Sequence, residues 1–308
     1  MARQPLLIVI TGPTGVGKTD AAISVARHFD TEIISADSRQ IYSDLKITTA
    51  APTELQLASV RHHFVGTQPL DYNYSAAVFE QAALDVLDHI YRHHDVAVVC
   101  GGSMMYVDAL CNGIDDIPTI SPETRAKVRS IYDSDGLDAV LQMLGKLDPE
   151  YLEVVDRNNV NRVLHAVEIC LESGTTYTSL RKGKRAERPF GIMKCMLTAP
   201  REELFRRINS RTLRMVEEGM VEEVRAVANL RHLNSLNTVG VNEMLRHIDG
   251  DWTLEQAVAR LQKNTRVYAK KQLTWFARDT EIRTYDVTQC DAAKEIIRDA
   301  EKISRMRK

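Results

Sequence analysis

Gly12-Pro13-Thr14-Gly15-Val16-Gly17-Lys18-Thr19 has the residue types and spacing to hold the oxygens of a diphosphate or triphosphate. Glycines let the backbone curl so that successive N–H groups converge on one anion, and a helix starting there adds favourable partial charge. The spacing puts Lys18 within reach of a terminal phosphate and the Thr19 hydroxyl on Mg²⁺. A second candidate is Asp37, which opens Asp37-Ser38-Arg39-Gln40-Ile41-Tyr42. Beside phosphates, such a carboxylate could hold a metal or act as a general base. An isolated Asp is more often a turn or cap residue, and only convergence with the phosphate loop favours the chemical role.

Two cationic groups could complete a site. Arg207, Arg211 and Arg214 recur at helical spacing and share one face. They could clamp phosphate oxygens, or form a solvated face paired with Glu202, Glu203, Glu217 and Glu218. Lys263, Arg266 and Lys270 also share a face, with Tyr268, Trp275 and Phe276 interleaved. Cations on phosphates and rings on bases are the usual means of gripping loop RNA. The alternative is that the rings are core and the cations solvated. The stretch from Arg181 to Arg188 is a further basic candidate. His62-His63 and His93-His94 do not read as metal pairs, because neighbouring strand residues point to opposite faces.

These residues must be positioned by an alternating framework. Leu6 to Ile10 is an apolar strand ahead of the loop, and Asp20 to Phe29 is a helix after it. Glu32 to Ala36 reads as a second strand, ending at Asp37. Ser75 caps a helix to about Arg92, and Val96 to Cys100 is a buried strand ending in Gly101-Gly102. Strand–helix alternation predicts a parallel α/β sheet with helices on both faces, and ligands at the carboxyl ends of its strands. The loop, Asp37 and Gly101-Gly102 all fall at such ends. From Pro118 to Lys182 the periodicity is helical. Ile192 to Leu197 returns to a strand, followed by long helices over 202–230 and 254–278, then a strand over 281–287. The expected domains are a core of 1–115 with 190–308, and a helical insertion of 116–189.

Net charge is −2, so an electrostatic partner must be held by local patches. Hydrophobic content of 44% and charged content of 27% suit a globular protein without membrane spans, expected in the cytoplasm. Five scattered cysteines without a C-x-x-C pair imply a reducing compartment and no zinc site. The strand from Val96 to Cys100 ends in glycines, where a typical phosphate-loop kinase or ATPase places a metal-binding Asp. No Asn-Lys-x-Asp guanine-reading motif occurs.

Gly12-Pro13-Thr14 with Gly17-Lys18-Thr19, Ser35-Ala36-Asp37-Ser38-Arg39-Gln40-Ile41-Tyr42, Gly101-Gly102 with Tyr106, and Thr265-Arg266 through Tyr268-Ala269-Lys270 to Gln272 and Trp275-Phe276 occur in that order. Together they resemble the tRNA dimethylallyltransferase (tRNA isopentenyltransferase) family over nearly the whole chain. The resemblance implies a P-loop NTPase-like parallel sheet, with the insertion gripping the tRNA anticodon stem-loop. It implies transfer of a dimethylallyl group from dimethylallyl diphosphate to the exocyclic amine of the adenosine 3′ of the anticodon, at tRNA position 37. Carried onto this chain, Gly12, Thr14, Gly15, Val16, Gly17, Lys18 and Thr19 would bind the diphosphate with Arg207 and Arg211. Thr19 would also hold Mg²⁺. Asp37 would be the base, with Thr19 and Arg211 catalytic beside it. Asp37, Ser38, Arg39, Gln40, Met104, Arg125, Asn161, Arg162, Val163, Leu164 and His165 would face tRNA. So would Asn237, Thr238, Val239, Gly240, Val241, Asn242, Lys263, Arg266 and Lys270. The chain departs from the family pattern at Asn158-Asn159, at Gly240-Val241 and at Gly101-Gly102-Ser103-Met104. It carries no zinc-finger extension, which implies the bacterial type, expected to act as a monomer. The competing expectations are a phosphate-loop small-molecule or nucleotide kinase using ATP, and a non-catalytic RNA binder. A bare carboxylate at the crevice speaks against the second.

Overall fold

A computed structural model describes residues 4–183 and 186–306. The first unit begins with β1 (Leu6–Thr11), α1 (Lys18–His28), β2 (Ile33–Ser35), α2 (Glu54–Ser59), β3 (His62–His63), α3 (Ala76–Tyr91), β4 (Val96–Cys100) and α4 (Met104–Asn112). A helical segment follows, with α5 (Pro122–Leu147), α6 (Pro149–Val154), α7 (Val160–Ser173) and α8 (Tyr177–Leu180). The chain then forms β5 (Gly191–Thr198), α9 (Arg201–Glu217), α10 (Met220–Ala226), α11 (Val241–Ile248), α12 (Leu254–Phe276), β6 (Arg283–Asp286) and α13 (Ala292–Met306).

The strands form one parallel sheet in the order β3-β2-β4-β1-β5-β6. β1 is central, with Leu6–Ile10 in register with Val96–Cys100 on one side and Gly191–Cys195 on the other. Its side chains alternate between two cores. Leu7 and Val9 join Phe79, Leu87 and Leu110 on one face. Leu6, Ile8 and Ile10 join Val25, Leu204 and Ile208 on the other. A strand buried on both faces reads as the continuous apolar run seen in the sequence. This is the P-loop NTPase-like α/β fold.

The chain divides into two compact units, one running to Cys111 and resuming at Glu187, the other Asn112–Ala186. The sequence expectation of 116–189 starts later and ends later. Arg188 belongs to the first unit, where its guanidinium donates to the carbonyls of Leu110 and Ala109 and pairs with Glu80. The second unit has its own core of Val128, Val140, Leu144, Val163, Ala166 and Val167. Buried Asp148 ties it together, capping α6 at Tyr151 N and accepting from the amide and hydroxyl of Thr178.

Several elements differ from expectation. The helix expected over 202–230 stops at Glu217, because Gly219 adopts φ 101° and starts α10 on a new axis. β3 is a two-residue edge strand at His62–His63, α2 and α4 lie in segments without a clear apolar period, and α11 is a further helix, with Val241, Met244, Leu245 and Ile248 at helical spacing. The last strand is shorter than expected, Arg283–Asp286.

Candidate active site

The phosphate loop joins β1 to α1 at the carboxyl edge of the sheet. Gly12, Gly15 and Gly17 have φ of 139°, 84° and 102°, backbone conformations that L side chains rarely adopt. A Cβ on Gly12 would lie 2.4 Å from the Leu197 carbonyl oxygen, so the loop's first turn also needs that small residue. Lys18 and Thr19 open α1. Lys18 Nζ donates to the carbonyls of Gly12 (3.0 Å) and Pro13 (2.9 Å). Burial lowers its pKa to about 8, although the Asp37 carboxylate favours its charged form. Burial pushes the Cys100 thiol up to about 12, so it stays protonated beside the loop at neutral pH.

Asp37 follows β2. Its Oδ1 accepts from the amides of Arg39 (2.9 Å) and Gln40 (3.3 Å), a turn that fixes the carboxylate. Neither bond involves Oδ2. The neighbouring strand end is pressed against it. Ala36 N donates to Cys100 O, and a Cβ on Gly101 would lie 2.1 Å from Ala36 O. Ser103 Oγ accepts from Ser38 N at 2.8 Å and donates to Ser38 Oγ. The glycines after β4 therefore let two strand ends close on one another.

Arginines come from α9. Arg211 donates to Thr14 Oγ1 at 2.7 Å, and Arg207 donates to Val16 O at 3.3 Å and to Glu203 at 2.7 Å. Burial lowers the Arg211 pKa, with Asp37 opposing it. Hydrogen bonds from Arg206 and Arg207 hold the Glu203 carboxyl down to about 2. The alternatives for this helix therefore divide by residue. Arg207 and Arg211 reach the loop, Arg206 pairs with Glu203, and Arg214 is exposed.

Thr14, Asp37, Ser38, Arg39, Ser103 and Arg211 line a cavity of about 290 Å³. Its lining also includes Ala50, Met215, Val239, Leu261 and Tyr268, and the threonines Thr48, Thr49, Thr212, Thr238 and Thr265. The cavity thus combines polar residues at the phosphate loop with apolar surface.

The positioning contacts of three side chains escaped the sequence reading. Gln272 of α12, only 2% exposed, donates through Nε2 to Gly102 O and accepts at Oε1 from Thr14 N, both at 2.8 Å. The Thr14 amide is thereby committed to protein, and its hydroxyl to Arg211. Arg39, expected to face RNA, instead donates to the carbonyls of Asn234, Ser235 and Asn237. Gln40 donates to Thr49 O and Ala50 O. Both side chains fasten the loops that wall the cavity. No local motif marks the Gln272 and Arg39 contacts, whose partners lie far away in sequence, and the Gln40 contacts close a loop within ten residues.

Other expected RNA-facing residues separate by exposure. In the second unit, Arg125, Asn161, Arg162 and His165 are exposed, whereas Val163 and Leu164 are buried in that unit's core. In the first unit, Asn237, Val239 and Asn242 are exposed, Thr238 and Met104 are half-buried, and Gly240 and Val241 are buried. Val16 is also buried. At these buried positions the side chains serve packing, and a ligand would meet backbone. Lys263 and Lys270 are exposed, while Arg266 donates to Asn209 Oδ1 at 2.6 Å and lies over Phe205. At about 100° per residue, this cationic face is roughly half a turn from Leu261, Thr265 and Tyr268, which line the cavity. In the basic stretch, Arg181 stacks on Tyr151 and Tyr177, and Arg188 is held by Glu80. Lys184 and Arg185 lie outside the described residues.

A glycine loop at the central strand's end, faced by a fixed carboxylate and a half-buried arginine, defines a phosphate-loop protein built for group transfer at a diphosphate. Within that class, the family model described as IPP transferase matches residues 40–279. A Phocaeicola vulgatus protein named tRNA dimethylallyltransferase 1 is 54% identical over 276 residues, 90% of this chain and 92% of that one. A Bacteroides thetaiotaomicron protein of the same name is 51% identical, covering 96% of each chain. The crystal structure of the full-length tRNA isopentenylpyrophosphate transferase from Bacillus halodurans matches with a TM-score of 0.72 and 31% identity, covering 99% of this chain and 97% of that one. The chain belongs to the IPP transferase family and is an enzyme of prenyl transfer.

Proposed function

We propose that this protein transfers a dimethylallyl group from dimethylallyl diphosphate to the exocyclic amine of the adenosine 3′ of the anticodon, position 37, in tRNA. One observation carries the proposal. The lining of one cavity includes Asp37, Thr14 and Arg211 together with the apolar side chains of Met215 and Leu261, which supports this reading. A diphosphate at the loop would have its prenyl tail beside Met215 and Leu261, and its scissile carbon on the side of the carboxylate. The relatives named tRNA dimethylallyltransferase support the choice of the two substrates.

The new bond joins the adenine nitrogen to the allylic carbon, and the carbon–oxygen bond to diphosphate breaks. The exocyclic amine is a weak nucleophile, since its lone pair is delocalised into the ring. Leaving-group stabilisation therefore matters most. Lys18, Arg211 and the loop amides would neutralise charge developing on diphosphate. Asp37 would orient the amine and accept its proton late, through the oxygen that the turn leaves uncommitted. Adenine must leave the loop's base stack to reach the cavity, at a cost of about a few kcal/mol. The exposed residues Arg125, Asn161, Arg162 and His165 would offset this by gripping the anticodon stem-loop.

Among the described residues, no group of three or more His, Cys, Asp or Glu side chains could hold a metal. The Thr19 hydroxyl still suits Mg²⁺, which is commonly held by one or two protein groups together with substrate phosphates. When bound there, it would neutralise diphosphate charge. We read the protein as a monomer that acts in the cytoplasm, where its tRNA substrate is. Among the described residues no helix is long and apolar enough to cross a membrane. A phosphate-loop kinase is disfavoured by β4, which runs into Gly101-Gly102 without a carboxylate. The test is mass spectrometry of tRNA after incubation with the protein, Mg²⁺ and dimethylallyl diphosphate. One added prenyl group on the adenosine at position 37 is expected. Phosphate transfer from ATP with unmodified tRNA would overturn the assignment.

A further inference from the structure

Residues 256–278 contain six cations, Arg260, Lys263, Arg266, Lys270, Lys271 and Arg278, and no Asp or Glu, in a chain whose net charge is −2. This is the body and exit of α12. Arg266 is engaged by Asn209, but Arg260, Lys263, Lys270, Lys271 and Arg278 are all exposed. None of those five forms an ion pair to a described carboxylate; Lys270 lies over the Phe205 ring and Arg278 over Trp275. Helical geometry puts Arg260, Lys263, Lys270 and Lys271 on one side of α12, with exposed Val267 between them. The cavity-lining residues Leu261, Thr265 and Tyr268 occupy the other side. The charged track runs about 17 Å along the helix, at 1.5 Å per residue from 260 to 271.

We infer that this outward face of α12 is a second RNA-docking surface, holding phosphates of the tRNA helix beyond the anticodon stem-loop whose base enters the cavity. This rests on the tRNA reading above. A solvated helix normally interleaves both signs of charge. A one-signed, unpaired track suits a polyanion, and the tRNA substrate is the polyanion this protein already binds. Its direction, away from the cavity, separates it from the nucleotides around the reacting base. The chemistry is phosphate contact without base reading, so it should set affinity and leave the choice of nucleotide unchanged.

The experiment compares wild type with the double variant Arg260→Ala, Lys271→Ala, on full-length tRNA and on an isolated anticodon stem-loop. The expected result is weaker binding of full-length tRNA, with a log–log salt slope shallower by about 1.5 to 2. Stem-loop affinity and stem-loop turnover should stay at wild-type values. Equal weakening on both RNAs would place the track against the stem-loop and overturn the inference. No change on either would make it a solvated face, with the same consequence. Wild-type turnover on the stem-loop checks the prenyl-transfer reading separately. If that turnover is absent, the reading itself fails, whatever the salt slopes show.

Discussion

Asp37 carries its burden with one oxygen. The turn made by the Arg39 and Gln40 amides uses Oδ1, so an Asp37→Asn variant keeps the turn while losing the base. We expect turnover to fall by about two to four orders of magnitude, with diphosphate affinity within twofold or so of wild type. Single-turnover kinetics with a separate diphosphate titration checks this, and near-normal turnover would remove Asp37 as the base. Lys18 gives a pH dependence whose sign follows from its burial. Its pKa stands near 8, below the ordinary value of 10.5. A bound diphosphate favours the charged form and raises that pKa. Above about pH 8, binding must therefore take up a proton, and affinity should weaken by up to about tenfold per pH unit. Calorimetry in two buffers of different ionisation enthalpy measures the uptake. An uptake near zero at pH 9 would show that the lysine is already charged. At this scale the sequence was legible where chemistry is local. Eight consecutive residues spell the loop, and Asp37 stands at a strand end. Gln272 was not legible as a contact, because its partners are 170 and 258 residues away.

Among the elements, α12 has the widest reach. One face closes the cavity, Gln272 grips both the phosphate loop and the glycine turn after β4, and the outward face is cationic. Replacing Gln272 with Met keeps the volume but removes both hydrogen bonds. Each is worth about 0.5–1.5 kcal/mol, and the Thr14 amide would be left without its partner. We expect the KM for dimethylallyl diphosphate to rise roughly tenfold, while the KM for tRNA and kcat at saturating donor change little. A uniform loss of activity with a lowered Tm would mean that Gln272 only supports the fold. The sequence foretold α1, α3, β1, β4 and α12 within a residue or two, because each carries a strong apolar period or a clear cap such as Ser75. It missed α11 and the break at Gly219. Both signals are local ones: Val241, Met244, Leu245 and Ile248 recur at helical spacing, Glu243 accepts from the Gly240 amide at the start of α11, and Gly219 takes a positive φ.

Over the whole molecule, the division into two compact units has an energetic corollary. The helical unit packs its own core around Leu144, so Leu144→Ala should destabilise that unit by about 2–5 kcal/mol. The phosphate loop lies in the other unit. Hydrogen exchange should therefore accelerate within 112–186, while diphosphate affinity stays unchanged. Matching acceleration in β1 and α1 would show a single cooperative unit instead. The division also has an optical side. Both tryptophans, Trp252 and Trp275, fall in the phosphate-loop unit. Trp275 donates its indole N–H to Asp108 and has the Arg278 guanidinium 5.3 Å from its ring. It lies three residues beyond Gln272, which holds the loop. Tryptophan emission, excited clear of Tyr132, Tyr151 and Tyr177 of the helical unit, should thus report little of that unit's unfolding and respond to events at the phosphate loop. Titration with dimethylallyl diphosphate should shift the emission, and Gln272→Met should abolish the shift even at saturation. The protein carries a built-in reporter for the small substrate and none for rearrangements within the helical unit.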